Sequence, residues 1–180
     1  MMKDDMKYIL LDRETIAARV KELGAQIAKD YAGKKPLMVC ILKGSTIFYA
    51  DLVRAIDLQI DMEFMKASSY GSATVSSGKV TVVGALDDKI KGRDVILVED
   101  IIDSGRTIAF LKEDMQGKGV ASLKVASLLD KPDRRVSDVQ PDYTGFVVPD
   151  EFVVGYGLDY DQQYRNFPDI GVLKPEVYGK

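Results

Sequence analysis

Two short runs made wholly of apolar residues, Leu37 to Leu42 and Val95 to Val98, set the strongest limit on how this chain can fold. A strand with one face in water alternates apolar and polar residues. A strand covered on both faces need not, so each run reads as a strand inside a sheet. Each is followed by a polar loop and then by apolar residues at helical spacing: Phe48, Leu52, Val53 and Ile56 after the first, Ile108, Leu111 and Met115 after the second. Strand, loop and helix repeated in this way predict an α/β domain with a mainly parallel, twisted sheet and helices on both faces.

The rest of the chain fits around these units. Ile16, Val20, Leu23, Ile27 and Tyr31 predict an amphipathic helix with Asp12 as N-cap, ended by Gly33 and Pro36. Ile60, Met62 and Phe64 alternate with Asp61 and Glu63, the pattern of a half-buried strand, and lead into a Ser- and Gly-rich loop from Ser68 to Gly78. Lys79 to Val83 resumes a strand-like pattern, Asp87 to Gly92 reads as a charged turn, and Ser122 to Leu129 as a further strand. Phe146–Val148 and Phe152–Tyr156 are expected to pair as a hairpin around Pro149 and Asp150, after which the tail beyond Tyr160 reads as irregular. No repeat or low-complexity linker divides the chain. A single domain over residues 1–180 is expected, with a small hood formed mainly by residues 140–180 and the N-terminal residues as further candidates.

Composition removes several kinds of chemistry. The chain has no His, which excludes Ser-His-Asp and Cys-His catalysis, His-ligated metals and imidazole bases. Its one cysteine, Cys40, lies inside an apolar run and reads as a small buried hydrophobe, which suits a reducing, cytoplasmic setting. With 25 Lys and Arg against 28 Asp and Glu, the net charge of −3 disfavours broad binding to nucleic acid or anionic membrane. The apolar patch Tyr8 to Leu11 ends at Asp12, so neither a signal-peptide core nor a spanning segment is expected.

In an open parallel sheet, ligands bind beyond the carboxyl ends of the strands, so the loops after Leu42, Val98 and Leu129 carry the candidates. The segment after Val98 is the richest. Two adjacent carboxylates, Glu99 and Asp100, arrive at the sheet edge, and Asp103-Ser104-Gly105-Arg106-Thr107 then opens a helix. Backbone N–H groups at a helix start attract anions, Gly105 permits close approach, and Ser104 and Thr107 add hydroxyl donors, so the loop reads as a phosphate cradle. Neither G-x-x-x-x-G-K-[ST] nor G-x-G-x-x-G occurs, which removes the P-loop and dinucleotide fingerprints. Carboxylates beside a phosphate site suit ribose hydroxyls and a hard cation, and a sugar phosphate satisfies both.

The segment Val95 to Thr107 resembles the phosphoribosyl pyrophosphate motif of the type I phosphoribosyltransferases, and the resemblance extends along nearly the whole chain to their bacterial hypoxanthine-guanine branch. Leu42-Lys43-Gly44-Ser45 is similar to the family's pyrophosphate loop, and Ser69-Tyr70-Gly71 to the start of its flexible catalytic loop. Leu128-Leu129-Asp130-Lys131-Pro132 and Phe152 to Tyr160 are similar to its purine-binding elements. The resemblance implies the type I fold with a small hood. It also implies Mg2+-dependent transfer of the 5-phosphoribosyl group from phosphoribosyl pyrophosphate to hypoxanthine or guanine, giving IMP or GMP and pyrophosphate in purine salvage. Family members are cytoplasmic and form dimers or tetramers, so a homo-oligomer acting on small molecules is expected, with no nucleic-acid or membrane partner.

The same resemblance assigns roles to residues. Glu99 and Asp100 would hold the ribose hydroxyls, and Asp103 would act as general base toward the purine. Ser104, Gly105, Arg106 and Thr107 would bind the 5′-phosphate. Lys43, Gly44 and Arg165 would bind pyrophosphate, with a cis peptide bond between Leu42 and Lys43. Ser69 and Tyr70 would close over the reacting sugar, Lys131 would read the 6-oxo group, and Phe152 would stack on the purine, with Val153 touching it through the backbone. Asp159 would stand by the base and contact Mg2+, partly through water, with Glu99 and Asp100 as further metal candidates. Two other readings keep the fold: a nucleotide-sensing regulator, including RNA binders, and an enzyme for a different base such as xanthine or a pyrimidine. Asp103, Lys131 and Asp159 speak against the first; for the second, Lys131 with Phe152 favours a 6-oxopurine, since an ammonium has only donors to offer, but does not rank hypoxanthine, guanine and xanthine.

Overall fold

The computed structural model of the protein describes residues 1–69, 80–83 and 86–179. Its larger sheet has six strands in the order β4-β3-β2-β5-β6-β7. These are β2 (Leu37–Leu42), β3 (Asp61–Ser69), β4 (Val80–Val83), β5 (Asp94–Ile102), β6 (Ser122–Asp130) and β7 (Tyr143–Val147). All pairings are parallel except that of β3 with the edge strand β4. Both all-apolar runs lie at its centre, where β2 and β5 pair with Leu37 opposite Val95 and Cys40 opposite Val98.

Successive residues of a strand point to opposite faces, so each run supplies two cores at once. Met38, Cys40, Ile96 and Val98 meet α1 (Arg13–Asp30) and α2 (Thr46–Ala55) through Leu23, Ile27, Phe48 and Leu52. Leu37, Val39, Ile41, Val95 and Leu97 meet α4 (Arg106–Gly117) through Ile108, Leu111 and Met115. The expected N-cap is present: the Asp12 carboxylate accepts from the Thr15 N–H at 2.8 Å. The segment read as a charged turn at 87–92 begins with one turn of helix, α3 (Asp87–Ile90), because Ile90 is drawn into the α4-side core.

Two expectations fail, the irregular tail and the hairpin, and the N-terminal patch, given no element from sequence, proves to be a strand. The patch Tyr8–Leu11 lies in a strand, β1 (Met6–Leu11), and the tail beyond Tyr160 contains β9 (Ile170–Leu173) and the one-turn helix α5 (Pro175–Tyr178). The hairpin around Pro149 does not form, since β7 pairs in parallel with β6 while β8 (Val153–Val154) pairs antiparallel with β9. Residues 143–147 therefore belong to the large sheet. The hood is a separate sheet, order β1-β9-β8, that joins the two ends of the chain over a small core of Met6, Val154, Tyr164, Phe167 and Leu173. Local periodicity cannot reveal such a pairing, because its partners stand about 160 residues apart.

Strand order positions the site. From β2 the chain moves outward to β3, and from β5 it moves the opposite way to β6. The carboxyl ends of β2 and β5 are thus the point where the order reverses, and loops that part there leave a crevice.

Candidate active site

The crevice is a cleft of about 530 Å³. Its floor is Ile41 and Leu42 from β2, and one wall runs from Glu99 through Gly105 to Thr107 and Ile108. Gly44 and Ala67 contribute from the next two segments, while Asp159 and Arg165 come down from the hood. The acidic pair, the phosphate loop, the pyrophosphate loop and the hood arginine, spread over more than 120 residues of sequence, therefore share one space.

Glu99 and Asp100 sit side by side at the end of β5. Burial raises the Glu99 carboxyl well above the ordinary carboxylate range, and the neighbouring Asp100 raises it further. Burial also raises Asp100, opposed by the Ile101 N–H, which donates to it at 2.8 Å, and more weakly by Arg165. Two adjacent carboxylates lining the cleft are poised to gain from any positive charge placed between them. The bond between Leu42 and Lys43 is cis, as the resemblance implies. Gly44 is the residue that lets the two loops meet: a Cβ there would stand 1.7 Å from Asp100 Oδ2.

At the start of α4, Gly105 has φ +79°, a left-handed conformation that strains any residue with a Cβ. Ser104 and Thr107 flank it in the cleft wall. Arg106 opens the helix, its N–H 3.4 Å from Ser104 Oγ, and stands outside the cleft lining. Asp103 is half exposed, with Arg134 Nε 3.1 Å from its Oδ1. Its backbone is held from behind, where the nearly buried Arg135 donates to the carbonyl of Asp103 at 3.1 Å and pairs with Asp130. No pattern in the sequence marked Arg135 for this place. Its role as a clamp on this loop depends on β6 ending beside β5.

Arg165 donates to the carbonyl of Gly157 at 2.8 Å and pairs with Asp159 at 2.8 Å, while its buried Nε has no hydrogen-bond partner. Lys43 and Arg165 both reach the same oxygen, Gln162 Oε1, at 3.4 Å. The two charged residues predicted to contact pyrophosphate thus converge from distant parts of the chain. Gln162 carried no sequence signal; it stands in the hood turn with φ +64°.

Of the residues to which the resemblance gives purine contacts, Lys131, Phe152 and Val153 form a neighbouring group outside the lining of that cleft, while Asp159 lies in it. The Lys131 N–H donates to the carbonyl of Ile102 at 2.9 Å, which sets this residue against the Asp103 loop. Its buried ammonium donates to the carbonyl of Glu151 at 2.6 Å and stands 3.7 Å from Asp150. Phe152 follows directly, 39% exposed, and Val153 is buried in β8. Ser69 ends β3, and nothing is described of its side chain; Tyr70 lies outside the described residues.

Asp159, Glu99 and Asp100, to which the resemblance gives the Mg2+ contacts, line one cleft. Among the described residues, no three acidic, Cys or His side chains are gathered so that they could hold a cation by themselves. Asp159 lines the same cleft as Glu99 and Asp100 but is occupied by Arg165 and by the Gln162 N–H at 2.8 Å. What remains is an adjacent carboxylate pair. That donor set fits a magnesium ion taking most of its ligands from substrate phosphate and water, and does not fit a closed cage.

A parallel sheet whose strand-order reversal holds a carboxylate pair, a helix-start anion loop and converging cations defines an enzyme that handles a phosphorylated sugar. A family model for the phosphoribosyl transferase domain matches residues 9–161. The chain is 52% identical over 180 residues, all of both chains, to the hypoxanthine-guanine phosphoribosyltransferase of Streptococcus thermophilus. It is 50% identical to that of Bacillus subtilis over 178 residues, 99% of each. Among solved structures, a hypoxanthine phosphoribosyltransferase from Staphylococcus aureus superposes with a TM-score of 0.95 at 48% identity, covering 99% of this chain and 97% of that one. The chain therefore belongs to the phosphoribosyltransferase family, within its hypoxanthine-guanine branch, and is a pentosyltransferase.

Proposed function

We propose that this enzyme serves purine salvage, transferring the 5-phosphoribosyl group of phosphoribosyl pyrophosphate to N9 of hypoxanthine or guanine, with IMP or GMP and pyrophosphate as products. The observation that carries this reading is the sharing of one cleft by Glu99, Asp100, the 103–107 loop and Arg165. In the reaction the bond from the sugar carbon to pyrophosphate breaks as the bond to N9 forms, and positive charge develops on the ribose. Glu99 and Asp100 hold the ribose hydroxyls, and carboxylates beside the sugar favour that charge. Ser104, Gly105 and Thr107 hold the 5′-phosphate through hydroxyl and backbone donors. Lys43 and Arg165 grip the departing pyrophosphate, for which Arg165 has its unpartnered Nε.

Asp103 takes a proton from the purine ring as N9 bonds. Lys131, already fixed by Glu151, offers its remaining donors to a 6-oxo group and meets an adenine amino group with the wrong polarity. Mg2+ bound to Glu99 or Asp100 and to the substrate would neutralise pyrophosphate charge as it leaves. The reading also includes a cytoplasmic enzyme, consistent with the single thiol being buried, and a homo-oligomer of two or four copies. No described helix is long and apolar enough to cross a membrane.

The test supplies magnesium, phosphoribosyl pyrophosphate and, separately, hypoxanthine, guanine, xanthine, adenine and uracil, and measures nucleotide and pyrophosphate. Product is expected with hypoxanthine or guanine and not with adenine. Binding of the pyrophosphate donor with no turnover of any base would replace this reading with a nucleotide sensor.

A further inference from the structure

Phe152 is not alone beside the cleft. Tyr178, the last residue of α5, stacks on one face of its ring with centroids 4.9 Å apart and planes 20° from parallel. Tyr160 meets Phe152 in a T-shaped arrangement at 5.7 Å and 85°, and meets Tyr178 in another at 6.5 Å and 67°. With Tyr178 stacked on it and Tyr160 edge-to-face with it, Phe152 still leaves 39% of its surface in water. Tyr178 is itself 37% exposed, so the contact contributes little to any hydrophobic core.

The short helix carrying Tyr178 is nevertheless held. The Lys174 N–H donates to the carbonyl of Asp5 at 3.0 Å, its ammonium donates to the carbonyl of Asp4 at 2.6 Å, and Val177 packs on the hood core of Met6 and Val154. A partly exposed tyrosine placed flat on an aromatic ring by such anchors, at the end of the chain, is arranged to fix that ring. Unsupported, a half-exposed Phe would change rotamer freely and would have to be ordered each time a ligand stacked on it.

We infer that Tyr178 is a positioning residue for purine binding: stacked on Phe152 and joined by Tyr160, it holds that ring in one orientation for stacking on the base. The inference deepens the proposed function and rests on Phe152 being the purine stack. Tyr178 is not among the residues lining the cleft shared by Glu99, Asp100 and Arg165, so its effect is expected to be confined to the base.

The test compares Tyr178→Ala and Tyr178→Phe with the unaltered full-length chain, measuring kcat, KM for hypoxanthine and KM for phosphoribosyl pyrophosphate. Since an aromatic pair contributes about 0.5–1.5 kcal/mol, Tyr178→Ala is expected to raise the purine KM about three- to tenfold. Its kcat and donor KM are expected to stay within about twofold. Tyr178→Phe keeps the ring and is expected to match the unaltered enzyme. An unchanged or lowered purine KM in Tyr178→Ala, a rise in both KM values together, or a Tyr178→Phe as impaired as Tyr178→Ala would each overturn the inference. GMP affinity by calorimetry gives the same comparison without turnover. A chain that binds GMP but makes no nucleotide ends the enzyme reading and leaves the Tyr178 comparison standing; one that binds no GMP ends both.

Discussion

Replacing Gly44 with Ala tests how closely the pyrophosphate loop must approach the acidic pair. The added Cβ would stand 1.7 Å from Asp100 Oδ2, and real Cβ atoms essentially never come within 3.0 Å of another heavy atom, so the carboxylate must retreat by at least 3.0 − 1.7 = 1.3 Å. The loop cannot yield instead, because Gly157 presses on the carbonyl of Gly44 from the hood: a Cβ on Gly157 would stand 2.0 Å from that oxygen. Retreat of Asp100 breaks its hydrogen bond from the Ile101 N–H, a charge-assisted bond contributing about 1.5–3 kcal/mol. For a chain of this size that corresponds to a melting temperature lower by about 3–10 °C. A displacement of an ångström in a group that positions substrate can cost about a hundredfold in rate, so kcat/KM for phosphoribosyl pyrophosphate is expected to fall by about that factor. Thermal melts and initial rates at saturating hypoxanthine measure both. If the clash is with Asp100, the double variant with Asp100→Ala should melt within about 1 °C of Asp100→Ala alone, since the two changes then act through one contact. A Gly44→Ala enzyme with activity within about threefold of the unaltered one, or a double variant whose losses simply add, would refute the reasoning.

Asp103→Asn is expected to keep its melting temperature and lose at least about tenfold in turnover, since a positioned base contributes ~10² to 10⁴; an unchanged turnover number removes Asp103 from the mechanism. Lys131→Ala removes the donor set toward position 6, so the adenine-to-hypoxanthine ratio of kcat/KM is expected to rise by at least about tenfold; retained rejection of adenine would sink that assignment. Burial holds the Glu99 carboxyl above its ordinary value of 4.5, so the folded, unliganded chain keeps that proton to higher pH than the unfolded chain does. Stability should therefore be greatest below about pH 4.5 in this contribution and fall as pH rises toward the folded value. Glu99→Gln should flatten that decline and melt higher than the unaltered chain at pH 8; parallel melting curves from pH 5 to 8 would show that another group carries it.

The two all-apolar runs, the helix begun at Asp12 and the polar loops after Leu42 and Val98 were legible because each is a short-range pattern, enforced by side-chain alternation in strands and the 3.6-residue helix period. The same is true of the chemistry in Val95 to Thr107, where carboxylates, hydroxyls, a glycine and a helix start stand consecutively. Only the folded chain decides which distant residues meet them. That β1 closes the hood by pairing with β9, that Arg165 and Lys43 share Gln162, that Arg135 clamps the Asp103 loop, and that Asp159 is engaged by Arg165 all depend on contacts spread across the chain. Such contacts form because the sheet sets particular strand ends side by side, a choice made by the packing of the whole core rather than by any local run of residues. Sequence alone determined the sheet, its central strands and the chemistry of its principal loop; tertiary structure decided how far apart, how buried and in what charge state those groups stand.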